Sequence, residues 1–312
     1  MPQVLANDIR FHVQRVGRGD PTVVLLHGML VDNLSSLYLT LAPAVAKAGM
    51  EAVLYDLRGH GRSQRPPSGY TVDQSVADLW AVLDQLEVDP PVHLLGNSFG
   101  ALVALEAALA HPERVAGLVL IEAQIALEGW GEHIAHDLEL AGFGLAEDDI
   151  RTWLDDFGGR KLNRLARSVE ALIKETSIID DLAAARPLQP DALRALETPA
   201  LSIYGVHSDA VSRAHDLAAL MPHLELHLLA DCAHSVLFEA TRTVRALVVD
   251  WFDRVRAGEE ILPRTHHVGV GEHEGEGAEH QEHVDYYRAE LERRMGAAAG
   301  ATALRVAPAR RD

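Results

Sequence analysis

Residues 93–113 read HLLGNSFGALVALEAALAHPE. The apolar run Val92–Leu95 predicts a buried strand, and Phe99–Ala110 carries apolar residues at helical spacing. Between them Gly96-Asn97-Ser98-Phe99-Gly100 has the form G-x-S-x-G, which sets a serine on a tight strand-to-helix turn. A turn of that kind holds the serine in a strained backbone conformation and lifts its hydroxyl clear of the sheet. Neighbouring chain then comes so close that the positions two before and two after accept little beyond glycine. Composition alone produces the five-residue pattern in about one chain in ten of this length. The strand–turn–helix context is what gives it weight.

The same rhythm runs outward in both directions. Thr22–Leu26, Ala52–Tyr55, Val115–Ile121, Ala200–Tyr204 and Glu225–Leu229 are short apolar runs closed by Gly, Asp or Glu, and they predict buried strands. Leu34–Lys47 and Val72–Leu86 carry apolar residues at helical spacing, and a closing helix is expected near Leu237–Val255. Alternation of this kind predicts an α/β protein with a mainly parallel, doubly wound sheet covered on both faces. Between about Gln124 and Thr198 no strand-like run occurs. Acidic starts such as Glu147-Asp148-Asp149, ahead of Ile150 and Trp153, predict a helical lid or cap there. The expected organisation is a core of residues 1–123 and 199–257, a lid over 124–198, and a tail over 258–312.

The tail holds 11 acidic and 7 basic residues, five histidines, and the run GVGEHEGEG that no core would use. It is expected to be mobile, with one helix over Val284–Met295, and to offer a contact for a second copy or a carrier protein. Its histidines lack a matched ligand spacing, so no metal is assigned to them.

The chain has 312 residues, 48% hydrophobic and 24% charged, which excludes a disordered chain. With 46 acidic against 28 basic residues the formal charge is −18, which argues against nucleic acid and anionic membranes as partners. Cys232, the single cysteine, excludes an internal disulfide framework and a paired-cysteine metal site. Neither a secretory signal nor an 18-residue apolar stretch is visible, so a cytoplasmic location is expected.

With these motifs in place, residues 8–256 resemble the α/β-hydrolase fold family. His27-Gly28 matches its oxyanion-loop dipeptide, and Asp56-Leu57-Arg58-Gly59-His60-Gly61-Arg62-Ser63 matches its D-x-R-G-x-G-x-S loop. Ser98 takes the nucleophile position, Asp209 after Ile203-Tyr204-Gly205 takes that of the acid, and His234 that of the catalytic histidine. The glycine usual before that histidine is Ala233 here. The resemblance implies a Ser98–His234–Asp209 triad in the order expected for the fold. Some relatives place the acid at the end of the preceding strand, where Glu122 stands. His234 would take the serine proton, and the acid would hold the imidazole in one tautomer and stabilise the imidazolium. The backbone N–H groups of Met29 and Phe99 are the implied oxyanion donors. No cofactor is required.

A serine nucleophile argues against haloalkane dehalogenase and epoxide hydrolase chemistry, where relatives carry aspartate. The expectation is hydrolysis of an ester or thioester of a small to medium, largely apolar acyl substrate through an acyl-enzyme. Alternatives are carbon–carbon hydrolysis of the meta-cleavage-product type, acyl transfer or perhydrolysis, and a non-catalytic receptor. The GNSFG elbow resembles that of the carbon–carbon hydrolases, but MLVDNLSSLY after Gly28 lacks the Ser/Gly-rich loop expected of them. His27, Trp130, His133 and His136 are candidates to reach the substrate. For His27, His60 and Arg58 bracing of loops is the stronger expectation, and for Trp130 and Trp153 packing within the lid.

Overall fold

The central strand segments are apolar at most positions because both faces of the sheet are covered. Along β3 (Thr22–Leu26) and β4 (Glu51–Tyr55), Val24, Leu26, Val53 and Tyr55 pack into one core cluster. Their neighbours Val23, Leu25, Ala52 and Leu54 pack into another on the opposite face. The computed structural model of the chain describes residues 2–146 and 159–270. Residues 1–270 form one unit and 271–312 a second.

Nine strands form one sheet: β1 (Gln3–Ala6), β2 (Ile9–Val16), β3, β4, β5 (Val92–Asn97), β6 (Val115–Ile121), β7 (Ala200–Gly205), β8 (Leu224–Leu229) and β9 (Arg264–Val268). Their order is β1-β2-β4-β3-β5-β6-β7-β8-β9. β1 and β2 form an antiparallel hairpin through Asn7 and Asp8, both at positive φ (48° and 61°), as a tight hairpin turn requires. β2 pairs antiparallel with β4, and every later pairing is parallel. This is the expected α/β class, with the antiparallel hairpin added at one edge.

One face is covered by α3 (Val72–Gln85), α4 (Phe99–Ala110) and α9 (Val211–Leu220); the other by α1 (Ser35–Thr40), α2 (Ala42–Lys47) and α11 (Thr241–Arg256). A short α10 (Val236–Glu239) precedes α11. α4 is buried on almost every side, from Phe99 to Ala108, which explains a helix with no polar stripe. The single helix expected over Leu34–Lys47 is two, broken at Leu41, because Pro43 near the start of α2 has no N–H for a continuous ladder. Between β6 and β7 stand α5 (Trp130–Ala146), α6 (Gly159–Glu175), α7 (Ile178–Ala183) and α8 (Pro190–Arg194). The expected helix start at residues 147–149 and Trp153 lie outside the described residues, as does Val284–Met295.

The tail boundary at 258 needs correction. Ile261 is buried, and Arg264–Val268 pairs with β8 as the last strand of the sheet, His266 opposite His227. RTHHV escapes strand recognition because an edge strand covered on one side needs little apolar sequence. Among the described residues no helix is long and apolar enough to cross a membrane.

Candidate active site

Parallel strands that start together also end together, so the loops leaving β3 to β8 gather at one edge of the sheet. Ser98 follows β5 directly, with φ 51° and ψ −114°, a conformation L residues rarely take. Its N–H donates to the Ile121 carbonyl (2.8 Å), which pins the turn to the end of β6. A Cβ on Gly96 would strike the Gly100 carbonyl and Ala101, and one on Gly100 would strike the Leu26 carbonyl. Both glycines are required by close approach of backbone.

His234, in the loop after β8, brings Nε2 to 3.3 Å from Ser98 Oγ. Its Nδ1 faces two carboxylates: Glu122 Oε2 at 3.1 Å and Asp209 Oδ1 at 3.3 Å. Burial alone would lower the imidazole pKa, but hydrogen bonds to Asp209 and Glu122 and their charges outweigh it and raise it to about 9. The bond from His234 in turn holds Asp209 below its usual range. The two acids sit very differently. Glu122 is 0% exposed, whereas the Asp209 side chain is 83% exposed. Glu122 Oε1 accepts the Gly205 N–H (2.6 Å), and Oε2 accepts the Ser208 hydroxyl. The sequence expectation of Asp209 as the acid, with Glu122 as its alternative, meets a site where both reach the ring.

Ser208 carries no signal in the sequence. Its hydroxyl accepts the Ala210 N–H (3.1 Å) and lies 3.5 Å from His234 Nδ1. No motif marks it; only the fold brings it beside Glu122.

The loop carrying Met29 is fixed by histidines rather than served by them. His27 is fully buried, with Nδ1 bonded to the Gly28 carbonyl (2.6 Å) and Nε2 accepting the Leu57 N–H (2.9 Å). His60 repeats the arrangement: Nδ1 to the Arg58 carbonyl (2.8 Å), Nε2 accepting the Leu30 N–H (3.0 Å). Burial, then the neighbouring His27, lowers the His60 pKa to about 4, so it is a neutral brace. Asp32, another residue without a sequence signal, accepts the Gly28 N–H (2.7 Å). Phe99 opens α4, so its N–H has no partner within the helix.

The substrate-contact expectations fare less well. His27 has both ring nitrogens engaged, and Trp130 is buried in the core cluster with its N–H toward Gln124 (3.4 Å). His133 stands at the surface, 3.4 Å from Asp137, and His136 is exposed. Among the described residues Glu225, His227 and His266 are grouped closely enough to hold a metal ion. The carboxylate there already accepts from His227 Nε2 (2.6 Å) and from Arg254 (2.9 and 3.0 Å), so protein partners satisfy it.

A serine on a strained turn, a histidine bonded to it and carboxylates behind the histidine, all at one edge of this sheet, define the α/β-hydrolase class. Residues 21–191 match the alpha/beta hydrolase fold family, and the chain belongs to it. It is 40% identical over 122 residues to lipase LipV of Mycobacterium tuberculosis, covering 39% of this chain and 44% of that one. It is 39% identical over 116 residues to the 2-hydroxy-6-oxononadienedioate/2-hydroxy-6-oxononatrienedioate hydrolase of Escherichia coli, covering 36% and 40%. The matched segment therefore spans less than half the length of these relatives. In fold it resembles an epoxide hydrolase from an endophytic Streptomyces, with a TM-score of 0.68 at 23% identity over 86% of this chain and 98% of the other.

Proposed function

We propose that this chain is a serine hydrolase that cleaves an ester or thioester of a small to medium, largely apolar acyl group. The observation that carries the reading is the 3.3 Å contact between Ser98 Oγ and His234 Nε2 on the strained turn. In the reaction, neutral His234 takes the hydroxyl proton as Ser98 attacks the acyl carbon. The oxyanion is received by the N–H groups of Met29 and Phe99, the latter at a helix start that favours negative charge. Collapse expels the alcohol or thiol, which takes the proton from His234, and water repeats the sequence to release the acid.

Carbon–carbon hydrolysis is the second reading, favoured by the GNSFG elbow and by the likeness to the Escherichia coli hydrolase. Acyl transfer to another acceptor uses the same residues. The deciding assay compares p-nitrophenyl esters of rising chain length, acyl-thioesters and a dienoate carbon–carbon substrate. Turnover of esters or thioesters is expected; release from the dienoate alone would reverse the ranking. A fluorophosphonate probe is expected to label Ser98 once. Ser98→Ala should abolish the label and lower turnover about 10⁴–10⁶-fold, roughly 5–8 kcal/mol of transition-state stabilisation. Full activity in that variant would remove the hydrolase reading, and a probe-inert, inactive wild type would favour a receptor.

A further inference from the structure

We propose that His234 is held by two carboxylates, and that buried Glu122, rather than exposed Asp209, is the positioning residue that fixes the tautomer and orientation of its imidazole. The inference rests on the hydrolase reading for its catalytic meaning, though not for its geometry. A bifurcated Nδ1–H is implied by the distances, 3.1 Å to Glu122 Oε2 and 3.3 Å to Asp209 Oδ1. Ser208 Oγ is the weaker acceptor for the imidazole N–H, since it lies farther away at 3.5 Å and already accepts the Ala210 N–H.

The two acids differ in what each can do for the ring. Glu122 is fully buried and held at three points: the Gly205 N–H, the Ser208 hydroxyl and His234. A buried carboxylate with its other lone pairs satisfied keeps one position and acts on the imidazolium through a weakly screening medium. Asp209, largely in solvent, has its attraction screened and must be ordered from a mobile rotamer distribution. Glu122 also has φ 49°, an unfavourable backbone for a non-glycine residue. Such strain persists where the surroundings over-determine a residue, as they do here. Its N–H donates to the Ile203 carbonyl (2.9 Å), fixing the acid between β6 and β7.

The charged and titratable groups around His234 can be named by element. Glu122 faces it from the end of β6 and Asp209 from the loop after β7. Arg213 of α9 acts on Asp209, and Tyr204 of β7, near Glu122, has its pKa pushed up chiefly by burial. With both acids present the imidazole titrates near pH 9. A general base must be neutral, so kcat/KM should rise with pH and level off above that value. Removing either carboxylate lowers the His234 pKa and moves this limb to lower pH. The larger movement belongs to the acid that holds the ring. The sign for stability is linked. A histidine pKa raised from 6.5 to about 9 contributes stability that is complete below pH 6.5 and lost as pH rises through 9.

The experiment compares Glu122→Gln, Asp209→Asn and the double variant at saturating ester substrate. It follows kcat, the acid limb of kcat/KM, and the His234 titration by ¹⁵N NMR on imidazole-labelled protein. Asp209→Asn is expected to lose no more than about tenfold in kcat, and Glu122→Gln about 10²–10³-fold. The double variant should approach the roughly 10⁴-fold loss that follows when the acid of a serine triad is turned to its amide and the wrong imidazole tautomer is favoured. The His234 titration should fall further in Glu122→Gln than in Asp209→Asn. A loss of about 10⁴-fold in Asp209→Asn alone overturns the proposal. So does a Glu122→Gln protein that melts lower but keeps its kcat and its His234 titration, since that is what a merely structural acid would show. If Glu122→Gln does not fold, Asp209→Asn still decides by its own loss. Should Ser98 prove unlabelled and inactive in wild type, the hydrolase reading fails while the NMR titration still tests which acid holds the ring.

Discussion

The C-terminal edge of the sheet and the described helices between β6 and β7 are held in different ways. At the edge the loops after β3 and β4 are held by buried and half-buried polar bonds: Asp56 accepts the N–H groups of Leu34 (2.9 Å) and Arg62 (2.8 Å), and His27 and His60 each lock two loops together. Residues at positive φ collect there too, among them Leu30, Ser98, Glu122 and Asp231. The insertion joins the core cluster on one face of the sheet through Trp130, Leu138, Leu172, Ile178 and Leu182, yet leaves Leu140 and Phe143 exposed on α5. It also meets the core through polar ties, such as Arg65 to Ser168 (2.7 Å) and Asp181 to the Gly69 and Tyr70 N–H groups. Chemistry needs fixed distances, and the rigid edge supplies them. The helices between β6 and β7 are held to the core by apolar packing as well as by polar bonds.

The strongest way to break this contrast is to loosen the edge. Arg58 and Asp78 form a buried bidentate pair (2.8 and 2.9 Å) behind the loop that carries His60. Arg58→Met would leave the Asp78 charge buried against only Asn7 and Gln74, so unfolding in urea should show a loss of about 3–5 kcal/mol. Adding Asp78→Leu should recover part of it, because an apolar pair leaves no stranded charge. If Arg58→Met costs less than about 1 kcal/mol, the edge is not rigid for the reason given.

Legibility in the sequence follows the same division. Gly96, Ser98 and Gly100 are legible because the turn chemistry is written in neighbouring residues, whereas Asp209 and His234 are legible only through the resemblance to the hydrolase fold family. Glu122 closes a strand and is visible only as an alternative. Its contact with Gly205 and Ser208 depends on β6 and β7 lying side by side, which no local pattern encodes. The insertion is readable as helical but not as a binding surface, since packing within it hides Trp130. At the far edge, β9 is hidden from a pattern reading because its partner β8 supplies most of the apolar contact. Chains ended at Glu260 and at Val270 isolate that strand. The shorter one loses buried Ile261 and the β9 ladder, and should be less stable by about 2–3 kcal/mol in urea unfolding. Equal stability would mean that β9 adds nothing to the sheet.

The smallest expected effect tests the ties between the insertion and the core. Asp181 accepts the N–H groups of Gly69 (3.1 Å) and Tyr70 (2.6 Å) and the Ser177 hydroxyl (2.5 Å) through one oxygen, joining α7 to the loop before α3. Arg186 and Asp73 also join insertion to core (2.7 Å), but both side chains are largely exposed, at 84% and 74%. Asp181→Ala strands two backbone donors and should cost about 1–2 kcal/mol. Arg186→Ala, a solvent-screened pair, should cost less than about 0.5 kcal/mol. Neither touches the strand ends that carry Ser98 and His234, so kcat on a short-chain ester should stay within about twofold for both. If the insertion contacts the acyl chain, the weakened tie shows in KM, and Asp181→Ala should raise it several-fold for longer acyl chains. A fall in kcat with KM unchanged would mean that the insertion supports the chemistry directly, and the division between the polar-bonded edge and the insertion would have to be abandoned.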